Sequence, residues 1–210
     1  MRLVLASNNA KKLAELGSLL APLALDLVAQ GSLGIAEADE PHVTFIENAL
    51  AKARHAALHA GGAAIADDSG LCVDALGGEP GVASAHYAPL DPPPGVEREA
   101  LRRLQDAANN RLLLERMTGR TDRRARFVGT LVAVRRADDP EPLVAVGRWE
   151  GTLLDAPSGA GGFGYDPLMY IPALGRTVAE LDAGIKNAHS HRALAAQRML
   201  EAMRGAWGLG

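Results

Sequence analysis

The chain of 210 residues is long enough to bury a sizeable core, and one domain is the default, with room for two lobes. Its composition, 48% hydrophobic and 22% charged, is that of a soluble globular protein, and a net charge of -3 supplies no general attraction for nucleic acid, so any bound anion must meet local positive charge. A single cysteine, Cys72, excludes a disulfide framework and a cysteine-based zinc site. The opening MRLVLASNN turns polar too soon for a signal peptide and no apolar run is long enough to span a membrane, so a cytoplasmic protein without membrane partners is expected.

Residues 2–6 (RLVLA) read as a first strand, followed by Ser7, Asn8 and Asn9 and then a helix with Leu13, Leu16, Leu19 and Leu20 on one side. A second strand is expected over 23–29 and an acidic loop over 37–41. A helix follows over 44–60, opened by Thr44 and Glu47 at capping-box spacing. The apolar run 63–66 suits a short buried strand that Ser69-Gly70 ends, which puts Asp67 and Asp68 at its exit. The stretch LGGEPGVASAHYAPLDPPPG (76–95) reads as a long irregular connection, since its prolines exclude regular structure. An Arg- and Leu-rich helix over 96–117 leads to two strands, 124–136 and 142–156, joined as a hairpin. A glycine-rich loop, PSGAGGFGYDP, comes next, and the segment IKNAHSHR introduces a last helix over about 190–203. Strands alternating with helices first and a hairpin later predict an α/β fold on a mixed sheet flanked by helices.

Four constellations bear on chemistry. Neighbouring strand residues point to opposite faces, so Asp67 and Asp68 can send one carboxylate inward and one toward a cleft, although a solvated turn explains the pair equally. Ser7, Asn9 and Lys12 combine a helix start, hydroxyl and amide groups and an ammonium, which is what a phosphate needs; an ordinary polar helix entry has the same composition. Residues Gly159 to Gly164 satisfy GxGxxG literally, but Tyr165-Asp166-Pro167 cannot open the helix which that fingerprint requires. Phe163 beside Asp166 offers instead a stacking face next to a carboxylate, or simply a tight turn. Lys186, His191 and Arg192 cluster near the last helix, where Ser190 can cap. Carboxylates, phosphate-binding cations and an aromatic platform together suggest a nucleotide substrate. Asp68 and Glu40 would bind magnesium, and the chemistry would be phosphoanhydride hydrolysis.

The stretches SNNAKKLAEL, TFIENALAKARHAA, AIADDSGLCVDALGGEPGVASAHYA, GGFGYDPLMYIP and KNAHSHRALA resemble, in order and spacing, the inosine triphosphate pyrophosphatase family, also called Ham1-like or non-canonical purine nucleoside triphosphate pyrophosphatases. The resemblance runs nearly end to end. It implies an elongated two-lobed α/β domain over 1–210, with the active-site cleft between the lobes, and a homodimer. It also implies a house-cleaning, Mg2+-dependent hydrolysis of dITP, ITP, XTP and dXTP to the monophosphate and pyrophosphate. The loop from Ser7 through Asn8, Asn9, Ala10 and Lys11 to Lys12 would hold the triphosphate. Asp68 would be proton acceptor and metal partner, Glu40 a second metal ligand, and Asp67 a support. Ser69 would touch substrate and Lys52 would be a further phosphate contact in the catalytic set. Phe163, Gly164, Tyr165 and Asp166 would read the base, with Lys186, His191 and Arg192 completing the pocket.

Three departures stand out against that family. His86 stands where Arg or Lys is usual, so a cationic contact there becomes pH-dependent or absent. Met169 replaces a common Phe, and the segment DPPPGVEREALRRLQDAANN is longer than usual. Two other functions remain open: a Maf-type pyrophosphatase acting on pyrimidine triphosphates, and a nucleotide-binding regulator without turnover.

Overall fold

The structure, a computed structural model, describes residues 1–92 and 95–209; Pro93 and Pro94 of the proline-rich stretch, and Gly210, lie outside the described residues. In chain order the elements are β1 (Arg2–Leu5), α1 (Ala10–Leu20), β2 (Asp26–Ala29), α2 (Phe45–Ala60), β3 (Ala64–Val73), α3 (Arg98–Arg116), β4 (Arg124–Val134), β5 (Leu143–Leu153), β6 (Met169–Ile171), β7 (Arg176–Thr177), α4 (Ala183–His189) and α5 (His191–Trp207). The strands form one seven-stranded sheet in the order β2-β1-β3-β4-β5-β6-β7. β1 runs parallel to β2 and β3, whereas β6 is antiparallel to β5 and β7, so the sheet is mixed as the sequence predicts. No helix among the described residues is long and apolar enough to cross a membrane.

The chain divides into two compact units, Met1–Ser69 with Gly129–Arg148 and Asn187–Gly210, and Gly70–Val128 with Trp149–Lys186. In the first, strand alternation sorts the core onto two faces. Leu3, Leu5, Ile65, Leu131 and Ala133 pack with Leu16 and Leu20 of α1 and Met199 and Met203 of α5. Val4, Ala64, Ala66, Val132 and Val134 pack with Ala49, Ala53, Ala56 and Ala57 of α2. The second unit closes over Leu71, Val73, Leu113, Met117, Phe127, Trp149, Leu168 and the fully buried Met169.

Local chemistry fixes the helix ends. Asn9 caps α1 by accepting from the amides of Lys11 and Lys12, Thr44 caps α2 by accepting from Glu47 N, and Ser190 caps α5 by accepting from Ala193 N. α5 begins against bare backbone: a Cβ on Gly147 would lie 2.6 Å from Ala195 N, and one on Gly129 would lie 2.9 Å from the His191 ring. Only glycine admits the helix that close, and the approach brings Arg192 to the middle of β3.

Four sequence expectations are corrected. Ser69-Gly70 does not end the third strand: Gly70 stays extended within it, because Leu71 and Val73 beyond it are fully buried and their packing overrides the turn signal. Asp67 and Asp68 therefore sit in the middle of a ten-residue strand and not at its exit. The second strand begins only at Asp26, since Ala21–Leu23, with Pro22 locking φ, forms a 3-10 turn. Residues Gly81–His86 of the supposedly irregular stretch form a 3-10 helix that starts after Pro80, and Ser84 ties it to the Leu71 amide. Finally, the segment before Ser190 is itself a helix, α4, and α5 runs on to Trp207, where the Arg135 guanidinium lies 5.6 Å from the indole ring and Gly208 at φ +66° stops it.

Candidate active site

β3 presents Asp67 to the α1 and α5 face and Asp68 to the α2 face, and the two carboxylates meet opposite environments. Asp67 is buried, with Lys12 Nζ at 2.7 Å and Arg192 Nη2 at 3.2 Å from Oδ2, and its Oδ1 accepts from the Ser69 hydroxyl at 2.7 Å. Burial alone would raise its pKa, but Arg192 and Lys12 outweigh it and hold the carboxyl well below the usual carboxylate range. Arg192 is itself buried and also donates to Glu15 Oε2 at 2.7 Å, so Glu15, Arg192, Asp67 and Lys12 form an alternating chain of charge. Its guanidinium pKa is raised; burial opposes the charge, and Asp67 and Glu15 overcome it.

Asp68 accepts from Lys52 through one carboxylate oxygen and has no donor on the other. Lys52, carried by α2 and almost fully buried, donates to Asp68 Oδ1 at 2.8 Å and to the Asp67 carbonyl at 3.1 Å, and lies 3.2 Å from Glu40 Oε2. Burial, opposed by Lys52 and assisted by the Glu40 carboxylate, pushes Asp68 up to about 6. Burial works against the Lys52 charge too, but Asp68 and Glu40 prevail and its pKa is raised. Asp68 Oδ2 is buried without a hydrogen-bond partner. Among the described residues no group of three or more His, Cys, Asp or Glu could hold a metal alone. The orphaned Asp68 oxygen and the exposed Glu40 carboxylate are nevertheless a hard-oxygen pair of the kind that suits Mg2+, which keeps waters and shares its shell with substrate phosphates.

The loop from Ser7 to Lys12 also belongs to the first unit. Ser7 Oγ accepts from Asn9 N at 3.2 Å, and because Asn9 caps α1, the Lys11 and Lys12 amides are already engaged by its side chain. Asn8, Ala10 and Lys11 are exposed, whereas Lys12 reaches back to Asp67. His191 is half-buried at the start of α5.

In the second unit Phe163 is 48% exposed, a large value for a ring that a tight turn could have buried. Lys186 Nζ lies 4.4 Å from its ring centroid and 2.5 Å from Asp166 Oδ2, which also accepts from Phe163 N at 2.9 Å. Gly162, at φ +75°, leaves room for that carboxylate, because a Cβ would run into it. Tyr165 is buried, donates to the Ser84 carbonyl at 3.0 Å and has its phenol pKa pushed up by burial, so its place is in the core.

A family model described as the Ham1 family matches residues 3–202. The chain belongs to the Ham1 family. It is 72% identical over 211 residues to a dITP/XTP pyrophosphatase of Leptothrix cholodnii, with all of each chain covered. It is 69% identical over 207 residues to one of Methylibium petroleiphilum, with 99% of each covered. A solved HAM1 protein from Coxiella burnetii matches with a TM-score of 0.88 at 39% identity, covering 98% of this chain and 100% of that one.

Within this Ham1-family chain the structure groups Lys12, Asp67, Ser69 and Arg192 in one cluster, Glu40, Lys52 and Asp68 in a second, and Phe163, Asp166 and Lys186 in a third. Sequence reasoning missed Glu15, which accepts from Arg192, and Asp106 and Asn110, which engage the N–H and the carbonyl of Gly164 next to Phe163. Glu15 follows Lys12 by three positions on one helix face, a signal available in the sequence. Its partner Arg192 is 177 residues away and gives no local hint.

Proposed function

We propose that this protein hydrolyses dITP, ITP, XTP and dXTP to the nucleoside monophosphate and pyrophosphate with Mg2+, as a homodimer in the cytoplasm. That the chain is a hydrolase follows from its kinship with the dITP/XTP pyrophosphatases of Leptothrix and Methylibium. The observation that carries the mechanistic reading is the split pair on β3, one carboxylate neutralised by two cations and its neighbour raised to about 6 with a free oxygen. Neighbouring acids driven apart in this way take different roles.

Asp68 Oδ2 takes the proton of the attacking water, and a base poised near the working pH does this most effectively. Lys52 keeps Asp68 oriented and balances the charge that accumulates around Glu40. Magnesium, held by Glu40 and, through a bound water, by Asp68, would neutralise the polyphosphate and lower the pKa of bound water. Ser7, Asn9 and Lys12 bind phosphate. Lys12 is pre-oriented by Asp67, which Arg192 and Lys12 together hold ionised, while Glu15 balances Arg192. Phe163 supplies the stacking face for the base, and Asp166 and Lys186 supply polar groups beside it. A pocket that donates to the 6-oxo group rejects adenine, and one lacking an acceptor for the 2-amino group disfavours guanine.

Two results follow. Phosphorus NMR of the ITP reaction shows inosine monophosphate and pyrophosphate, and accumulation of inosine diphosphate with orthophosphate would contradict the reading. Phe163→Ala raises KM for ITP about 5- to 150-fold, the value of one base stacked on an aromatic ring, with a smaller loss of kcat. Equal losses in both would argue against a binding role.

A further inference from the structure

The Phe163 ring is half-exposed, yet the backbone that carries it is held from outside its own loop. Gly164 has φ +60°, a conformation that glycine adopts without strain. Its N–H donates to Asp106 Oδ2 at 2.9 Å, and its carbonyl accepts from Asn110 Nδ2 at 2.9 Å. Asp106 and Asn110 lie four residues apart on α3 and therefore on one face of that helix. They grip the two peptide groups on either side of the Gly164 Cα, and the first of these is also the peptide that follows Phe163. The other side of Phe163 is pinned by its own N–H to Asp166. α3 is a firm anchor: buried Asn109 donates to the Ser84 and Ala85 carbonyls and accepts from Ala88 N, and Leu113 and Met117 sit in the core.

Asn110 Oδ1 is buried without a hydrogen-bond partner. A buried amide oxygen left unpaired costs stability, and the amide keeps this orientation because its nitrogen serves Gly164.

We propose that Asp106 and Asn110 are positioning residues for base recognition, fixing the Phe163 ring by clamping both peptide groups of Gly164. The proposal rests on the reading of the Phe163 loop as the base platform. It makes α3, which the long segment from the proline run to Asn110 largely forms, a part of the specificity apparatus, with no contact of its own to the nucleotide.

The test compares steady-state kinetics on ITP for Asp106→Ala, Asn110→Ala, Asp106→Asn, Asn110→Asp and Phe163→Ala, with melting temperature and hydrogen exchange of the Gly164 amide measured alongside. The two alanine variants raise KM about 3- to 10-fold, the worth of one hydrogen bond, with kcat within about twofold and faster Gly164 exchange in Asp106→Ala. The isosteres separate. Asp106→Asn retains an acceptor for the Gly164 N–H and restores KM to near the wild-type value, whereas Asn110→Asp sets an oxygen against the Gly164 carbonyl and behaves like alanine. A role confined to stability moves the melting temperature and leaves KM in place. Alanine variants with wild-type KM beside a Phe163→Ala that raises it overturn the clamp alone. A Phe163→Ala with unchanged KM overturns the base platform and the clamp with it.

Discussion

Asp68→Asn lowers kcat for ITP by about 10²- to 10⁴-fold, the contribution of a positioned general base, while the affinity for nucleotide stays close to that of the wild type. The substitution keeps the volume of the side chain and leaves an oxygen to accept from Lys52. What it removes is the ability of the second carboxylate oxygen, buried and unpartnered, to receive a proton. In the proposed reading, phosphate binding through Ser7, Asn9 and Lys12 and base stacking on Phe163 draw on other elements, so binding is expected to survive. Equilibrium binding of ITP beside steady-state turnover separates the two quantities. Turnover within about tenfold of the wild type would place the proton acceptor elsewhere.

The second large effect is on stability. Asp67→Asn leaves Lys12 and Arg192 as neighbouring cations with only Glu15 to balance them, in a place where Arg192 has no access to water. Breaking one member of a buried charge network costs about 3–5 kcal/mol, which for a chain of this length lowers the melting temperature by about 6–20 °C in calorimetry. The pH dependence has a fixed sign. Asp67 titrates well below the unfolded carboxylate value near 4, so its contribution is fully present above about pH 4 and is lost as the pH falls through its folded pKa. Wild type and variant therefore differ most at neutral pH and converge in strong acid. A variant as stable as the wild type at pH 7 would mean that the network contributes no net stability.

The same pair shows how far the sequence was legible. The apolar run 63–66 and the helical spacing over 44–60 identified β3 and α2, because burial writes its period directly into the residues. The continuation of β3 through Asp67, Asp68, Ser69 and Gly70 was not legible. Ser and Gly read as a turn, and only Leu71 and Val73 packing into the second unit explain why the strand goes on. Lys12, Lys52 and Arg192 were recognisable as cations near motifs, but their division of labour depends on contacts made across long stretches of chain. Arg192 was expected in the base pocket, and among the described residues its contacts are with Asp67 and Glu15. Asp106 and Asn110 sit in a helix that the sequence marks only as Arg- and Leu-rich, and nothing local says that one face of it holds Gly164.

Pyrophosphate release from ITP, XTP, GTP, ATP and CTP in parallel, with magnesium and with chelator, tests the central claim most directly. Magnesium-dependent release from ITP and XTP, with little from the other three, is the predicted result. Release mainly from CTP, or tight binding of ITP without release from any of the five, would contradict it.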